Sequence, residues 1–107
     1  MNPILLLESK DFNAKGELIT PSLKDKNIVI LVQASYCGYC TDIKPIYQAL
    51  ANELGPLGII FTTIQLDAAK PVNIRLIKPD IKNIPAFIKV VNGCLLYTSP
   101  SPRDAHE

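Results

Sequence analysis

Ile28-Val29-Ile30-Leu31-Val32 is an unbroken aliphatic run rich in β-branched residues, the pattern of a strand covered on both faces, as at the centre of an α/β sheet. It passes through Gln33-Ala34-Ser35 into Cys37-Gly38-Tyr39-Cys40. Beyond the cysteines the apolar positions Ile43, Ile46, Tyr47, Leu50, Ala51 and Leu54 recur at helical spacing, with Asp42, Lys44, Gln48 and Glu53 between them. That repeat predicts an amphipathic helix with one buried face. Pro45 falls inside it, where it removes a backbone hydrogen bond and predicts a kink. Gly55-Pro56-Leu57-Gly58 stops the helix, and Ile59 to Leu66 reads as the next strand. Strand, helix and strand make a right-handed βαβ unit.

The remaining elements are shorter. Ile4 to Leu7 predicts a short buried strand, and Thr20 is placed to cap one or two helical turns from Pro21 through Lys24. Asp67 is placed to cap a short helix around Val72 to Ile77, stopped by Lys78-Pro79-Asp80. Ile84-Pro85 leads into the strand Ala86 to Val91, which ends at Asn92-Gly93, a strong hairpin signal. From Cys94 to Glu107 the character changes: Tyr97-Thr98-Ser99-Pro100-Ser101-Pro102-Arg103-Asp104 resembles a translated sequencing adapter, so residues 94–107 are expected to be a non-native tail following a domain of residues 1–93. No function is placed after Gly93.

The chain's 107 residues, 48% of them apolar, suffice for one compact domain. Eleven Lys and Arg against ten Asp and Glu leave it near neutral, and no basic cluster interleaved with aromatics suggests a nucleic-acid footprint. The early apolar run lacks a basic segment before it and meets Glu8 at once, so neither a secretory signal nor a membrane span is expected. The reading is a soluble cytoplasmic monomer.

Three cysteines are too few for a secreted disulfide framework. Redox chemistry or a metal remains. A thiol at the start of a helix meets unpaired N–H groups and the positive end of the helix dipole, which stabilise its thiolate. Cys37 occupies that place and is the expected nucleophile. Cys40, one turn further in, is placed to form a disulfide with it and to resolve mixed disulfides. A zinc site would need further ligands, for which Cys94 and His106 are the remaining choices.

Tyr36-Cys37-Gly38-Tyr39-Cys40 after the strand Ile30-Leu31-Val32, Pro45 within the following helix, Asp67 after the next strand, and Ile84-Pro85 before Ala86-Phe87-Ile88-Lys89-Val90-Val91-Asn92-Gly93 together resemble the thioredoxin family. The resemblance spans about Ile4 to Gly93. It implies an α/β fold with a mixed central sheet flanked by helices, its C-terminal strand and helix here missing or replaced, although Cys94 to Thr98 can imitate the strand. It further implies a cis Ile84-Pro85 peptide against the cysteines, with the Ile84 backbone pairing to an extended substrate segment as an added strand. Tyr36, Gly38 and Tyr39 would complete the peptide-docking surface, and Pro45 and Asp67 would be structural. The implied activity is thiol-disulfide oxidoreduction on protein disulfides, recycled by a reductase or thiol donor, without metal or organic cofactor.

The departures are specific. Leu31 stands where thioredoxins usually carry a buried Asp, Thr63 where they carry its partner Lys, and Tyr36 where they carry Trp. Gly38-Tyr39 replaces Gly-Pro and resembles bacterial disulfide isomerases. Oxidising or isomerising exchange therefore stays open as a direction, as does a non-catalytic binding module that keeps the fold.

Overall fold

The computed structural model describes residues 3–79, 81, 83–91 and 94–97. Its frame is a five-stranded sheet in the order β1-β3-β2-β4-β5, formed by β1 (Leu5–Leu6), β2 (Asn27–Gln33), β3 (Ile59–Gln65), β4 (Ala86–Val91) and β5 (Cys94–Tyr97). β1 and β2 both run parallel to β3, whereas β4 is antiparallel to β2 and β5 to β4. The aliphatic run thus lies at the centre of a mixed sheet. β2 pairs residue for residue with β3 from Asn27 opposite Ile59 to Gln33 opposite Gln65. Parallel neighbours need a crossover, and α1 (Gly38–Leu54) supplies it.

Alternation along the strands sends successive side chains to opposite faces. On one face Leu31 and Phe61 pack with Tyr47 and Ala51 of α1. On the other, Ile28, Ile30, Val32, Ile64, Ile88 and Val90 form the larger core. The polar segment after β1 covers that core with Phe12, Leu18 and Leu23, joined by Val72 and Ile74 from the region of α2 (Ile74–Ile77). A cleft lined by Asn27, Val29, Ile59, Phe87 and Lys89 opens on the α1 face at the end of the sheet away from the cysteines. Among the described residues no helix is long and apolar enough to cross a membrane.

Four local expectations change. Residues 21–26 form turns, not a helix: the Leu23 and Lys24 N–H groups both donate to Thr20 O, and the Thr20 hydroxyl donates to the Asp11 carboxylate. Asp67 does not cap α2, whose N-cap is Asn73 without a side-chain bond; its carboxylate is engaged by Ser35. β1 is an edge strand, so Leu5 and Leu6 are exposed and only Leu7 of that run is buried. Ile46 and Leu50 of α1 are also exposed, while Tyr47 and Ala51 are buried. At about 100° per residue the buried stripe centres between Tyr47 and Ala51, and Leu50 and then Ile46 lie progressively off its edge.

β4 and β5 form the expected antiparallel pair, with Val91 opposite Cys94. The turn residues Asn92 and Gly93 lie outside the described residues. β5 takes the place of the closing strand, and residues 98–107, including His106, lie outside the described residues.

Candidate functional site

β2 ends at Gln33, and the chain turns at once into α1. The turn is pinned twice: Cys37 N–H donates to Ala34 O at 3.1 Å, and Ser35 is clamped to the end of β3. Its N–H donates to Asp67 Oδ1 at 3.1 Å and its hydroxyl donates to Asp67 Oδ2. The Ser35 hydroxyl first, and then its N–H, hold the Asp67 carboxyl below its ordinary value of 3.8. Donors aimed at the charged form have that effect.

This turn delivers Cys37 to the N-cap of α1. Its Sγ accepts the Cys40 N–H at 3.2 Å, the contact that favours negative charge on that sulfur whenever it is a thiolate. Cys37 and Cys40 form a disulfide with Cα atoms 5.2 Å apart. The two sulfurs are unequal: Cys37 is partly exposed, whereas Cys40 is fully buried at 0%.

The Ile84-Pro85 peptide is cis, as the resemblance implies, and Cys37 Sγ lies 3.9 Å from the Ile84 carbonyl oxygen. Residues 84 and 37 are thereby brought together from distant parts of the chain. Tyr36 and Tyr39 flank the pair in sequence and are about three-quarters exposed, at 74% and 75%. Gly38 is exposed, and a Cβ there would meet nothing within 4 Å. Pro45 lies inside α1 and is exposed.

These features are joined by comparison with known proteins. The family model for thioredoxin matches residues 4–105. The chain belongs to the thioredoxin family. Its relatives include the thioredoxin-like protein 453L of Invertebrate iridescent virus 6, 35% identical, with the match covering 85% of this chain and 78% of that protein. Thioredoxin-1 of Caenorhabditis elegans is 33% identical, over 78% of this chain and 69% of its own length. Among solved structures, thioredoxin f from spinach chloroplast in its short form superposes with a TM-score of 0.70 at 20% identity, covering 96% of this chain and 86% of that one, a likeness of fold. Thioredoxin membership, together with the disulfide-forming cysteine pair, gives thiol-disulfide oxidoreductase chemistry in general terms.

Where thioredoxins usually bury an Asp and a Lys, this chain has Leu31 opposite Thr63. Leu31 is buried among apolar side chains. Thr63 instead donates its hydroxyl to Leu31 O at 2.8 Å and accepts Gln33 Nε2 at 2.7 Å. Two residues escaped the sequence reading. Gln33 is buried at the end of β2, where it bonds Thr63, and its signal is a polar residue closing an otherwise apolar central strand. Ser35 clamps Asp67, and no local pattern announces a partner 32 residues away. Among the described residues no group of three His, Cys, Asp or Glu side chains is placed to hold a metal ion.

Proposed function

We propose that the chain catalyses protein thiol-disulfide exchange in the reducing direction, with Cys37 as nucleophile and Cys40 as resolving thiol. The observation that carries this assignment is the unequal exposure of the two sulfurs. A substrate disulfide can approach Cys37, at the helix start, but not the enclosed Cys40. In the first step the Cys37 thiolate attacks one substrate sulfur; the Cys37-substrate bond forms, the substrate disulfide breaks, and the departing sulfur leaves as a thiolate that takes a proton. In the second, Cys40 attacks Cys37 Sγ, the mixed disulfide breaks, and the proton from Cys40 ends on the released substrate sulfur. The substrate has gained two electrons and two protons, and the Cys37–Cys40 disulfide remains for a reductase or thiol donor to reduce.

The docking surface follows from the same corner of the fold. An extended substrate segment would pair with the Ile84 backbone as an added strand, between the exposed rings of Tyr36 and Tyr39 and over Gly38. Pro85 has no N–H to compete for the sulfur. Pro45 and Asp67 act structurally, the first within α1 and the second through Ser35. This activity suits a reducing cytoplasmic setting, where structural disulfides are rare and catalytic ones are transient.

Trapping tests the assignment. Cys40→Ser, incubated with a disulfide-bonded test protein, is expected to accumulate a covalent complex whose linkage maps to Cys37 by mass spectrometry of the non-reduced digest. A complex linked elsewhere, or none, contradicts it. The Gly38-Tyr39 dipeptide favours one second reading, exchange in the oxidising or isomerising direction, which an equilibrium with a glutathione buffer separates from the first by reduction potential.

A further inference from the structure

At the end of β2, the strand that leads into the cysteine pair, one buried polar atom lacks a partner among the described residues. Gln33 is only 6% exposed, and among the described residues its Oε1 has no hydrogen-bond donor. The amide is nonetheless oriented. Thr63 has a single hydroxyl proton, and it goes to Leu31 O at 2.8 Å. Toward Gln33 that hydroxyl can only accept, so Nε2 faces it at 2.7 Å. Oε1 must then point away from Thr63. A buried acceptor without a donor is disfavoured, and a donor that arises in another state of the protein would relieve it.

Counting levels along the helix and the strand points to Cys40 as that donor. Gln33 shares the strand alternation of Val29 and Leu31, which pack on the α1 side of the sheet. Tyr47 sets the height of α1 over the strands, because its hydroxyl donates toward Val29 O at 2.9 Å and Thr62 O at 2.7 Å. α1 connects two parallel strands, so it runs back antiparallel to both. The seven residues from Tyr47 to Cys40 span about 10.5 Å of helix, equal to about three residues of strand. They also return to within about 20° of the same helix face. Counting three residues up from Val29 puts Cys40 between the levels of Leu31 and Gln33, where the Gln33 amide reaches toward Thr63. Cys40 is itself fully buried.

We propose that Gln33 is a positioning residue for the resolving thiol, its Oε1 accepting a hydrogen bond from the Cys40 S–H once the disulfide is reduced. This deepens the exchange reading above and rests on it for its role. Reduction breaks the bond between the two sulfurs; two thiols of the reductant supply two electrons and two protons and become a disulfide. One proton resides on Cys40 Sγ, and the other leaves Cys37 as its thiolate forms. The Cys40 S–H is the donor that Oε1 lacks in the oxidised protein, so the bond favours the reduced state. It also holds Cys40 beneath Cys37 until a mixed disulfide forms above it.

The test is the S–H stretching band of the reduced full chain, assigned to Cys40 by its disappearance in Cys40→Ser. In Gln33→Met that band is expected to move to higher wavenumber. The glutathione equilibrium of the Cys37–Cys40 pair is expected to shift about tenfold toward the disulfide, or about 30 mV for a two-electron couple. Thr63→Val, which frees the amide to turn its Nε2 toward Cys40, is expected to move the band the same way and serves if Gln33→Met does not fold. A Cys40 band unmoved in either folded variant overturns the proposal, and a moved band with an unmoved equilibrium overturns the claim that the bond favours reduction. The band is read without substrate, so a failure of Cys37 to react with disulfides would count against the exchange reading and leave this measurement intact.

Discussion

Cys37 and Cys40 are three residues apart, yet one caps α1 with its sulfur on a backbone N–H and the other is sealed beneath it. That contrast is set by the turn before the helix, and the turn depends on Ser35 holding Asp67. Because these bonds favour the charged carboxylate, the folded Asp67 titrates below the unfolded value of 3.8. Above that value the clamp contributes stability. As pH falls through the lower folded value the carboxylate is protonated and the contribution is lost. Thermal melts should therefore show Ser35→Ala less stable than the unsubstituted chain at pH 7, with the gap closing in acid below the ordinary carboxylate range. A gap that stays constant with pH would mean that Ser35 stabilises by some means other than the Asp67 charge.

At the scale of elements, α1 is fastened to the sheet by Tyr47. Its ring packs edge-on against Phe61 with centroids 5.3 Å apart, and its buried hydroxyl, which burial pushes well above its ordinary pKa, stays protonated and bonded to strand carbonyls. Tyr47→Phe should lower stability by about 1–2 kcal/mol in chemical denaturation, without altering the sheet. Two glycines set the connecting loops. Gly58 has φ +97° with open space where a Cβ would go, whereas Gly16 has φ +80° and a Cβ there would sit 3.0 Å from the Ile77 backbone. Gly58→Ala should cost about 1–2 kcal/mol from the left-handed conformation alone. Gly16→Ala should cost more, since α2 must also move; equal losses would show that the Ile77 contact is soft.

The sequence was most legible where pattern is strong and local. The aliphatic run of β2, the repeat of α1, the strand before Asn92-Gly93 and the cysteine pair all declare themselves by period or spacing. The edge strand at Leu5 and Leu6, the exposed Ile46 and Leu50, and the turns after Thr20 did not, because burial there is decided by which elements lie opposite. The Gln33-Thr63 and Ser35-Asp67 bonds join residues about thirty positions apart, and only the β2-β3 register brings them together.

Across the whole molecule, the two ends of the sheet differ. The cysteine end gathers the C-terminus of β2, the start of α1 and the cis Ile84-Pro85 peptide, while the opposite end carries the cleft around Val29, Ile59 and Phe87. β5 closes the sheet along β4, and Leu95 packs against the larger core. A chain ended at Val91 should lose about 2–4 kcal/mol of stability through the missing ladder bonds and Leu95 contact, read from denaturant midpoints; no loss would make β5 an ornament of the fold. The central claim, that Cys37 is the sulfur through which substrate disulfides are reduced, is met most directly by comparing the turnover of a disulfide-bonded test protein by the unsubstituted chain and by Cys37→Ser with a thiol donor in excess. Turnover that falls to the background of the thiol donor alone is the predicted result, and turnover undiminished in Cys37→Ser would contradict it.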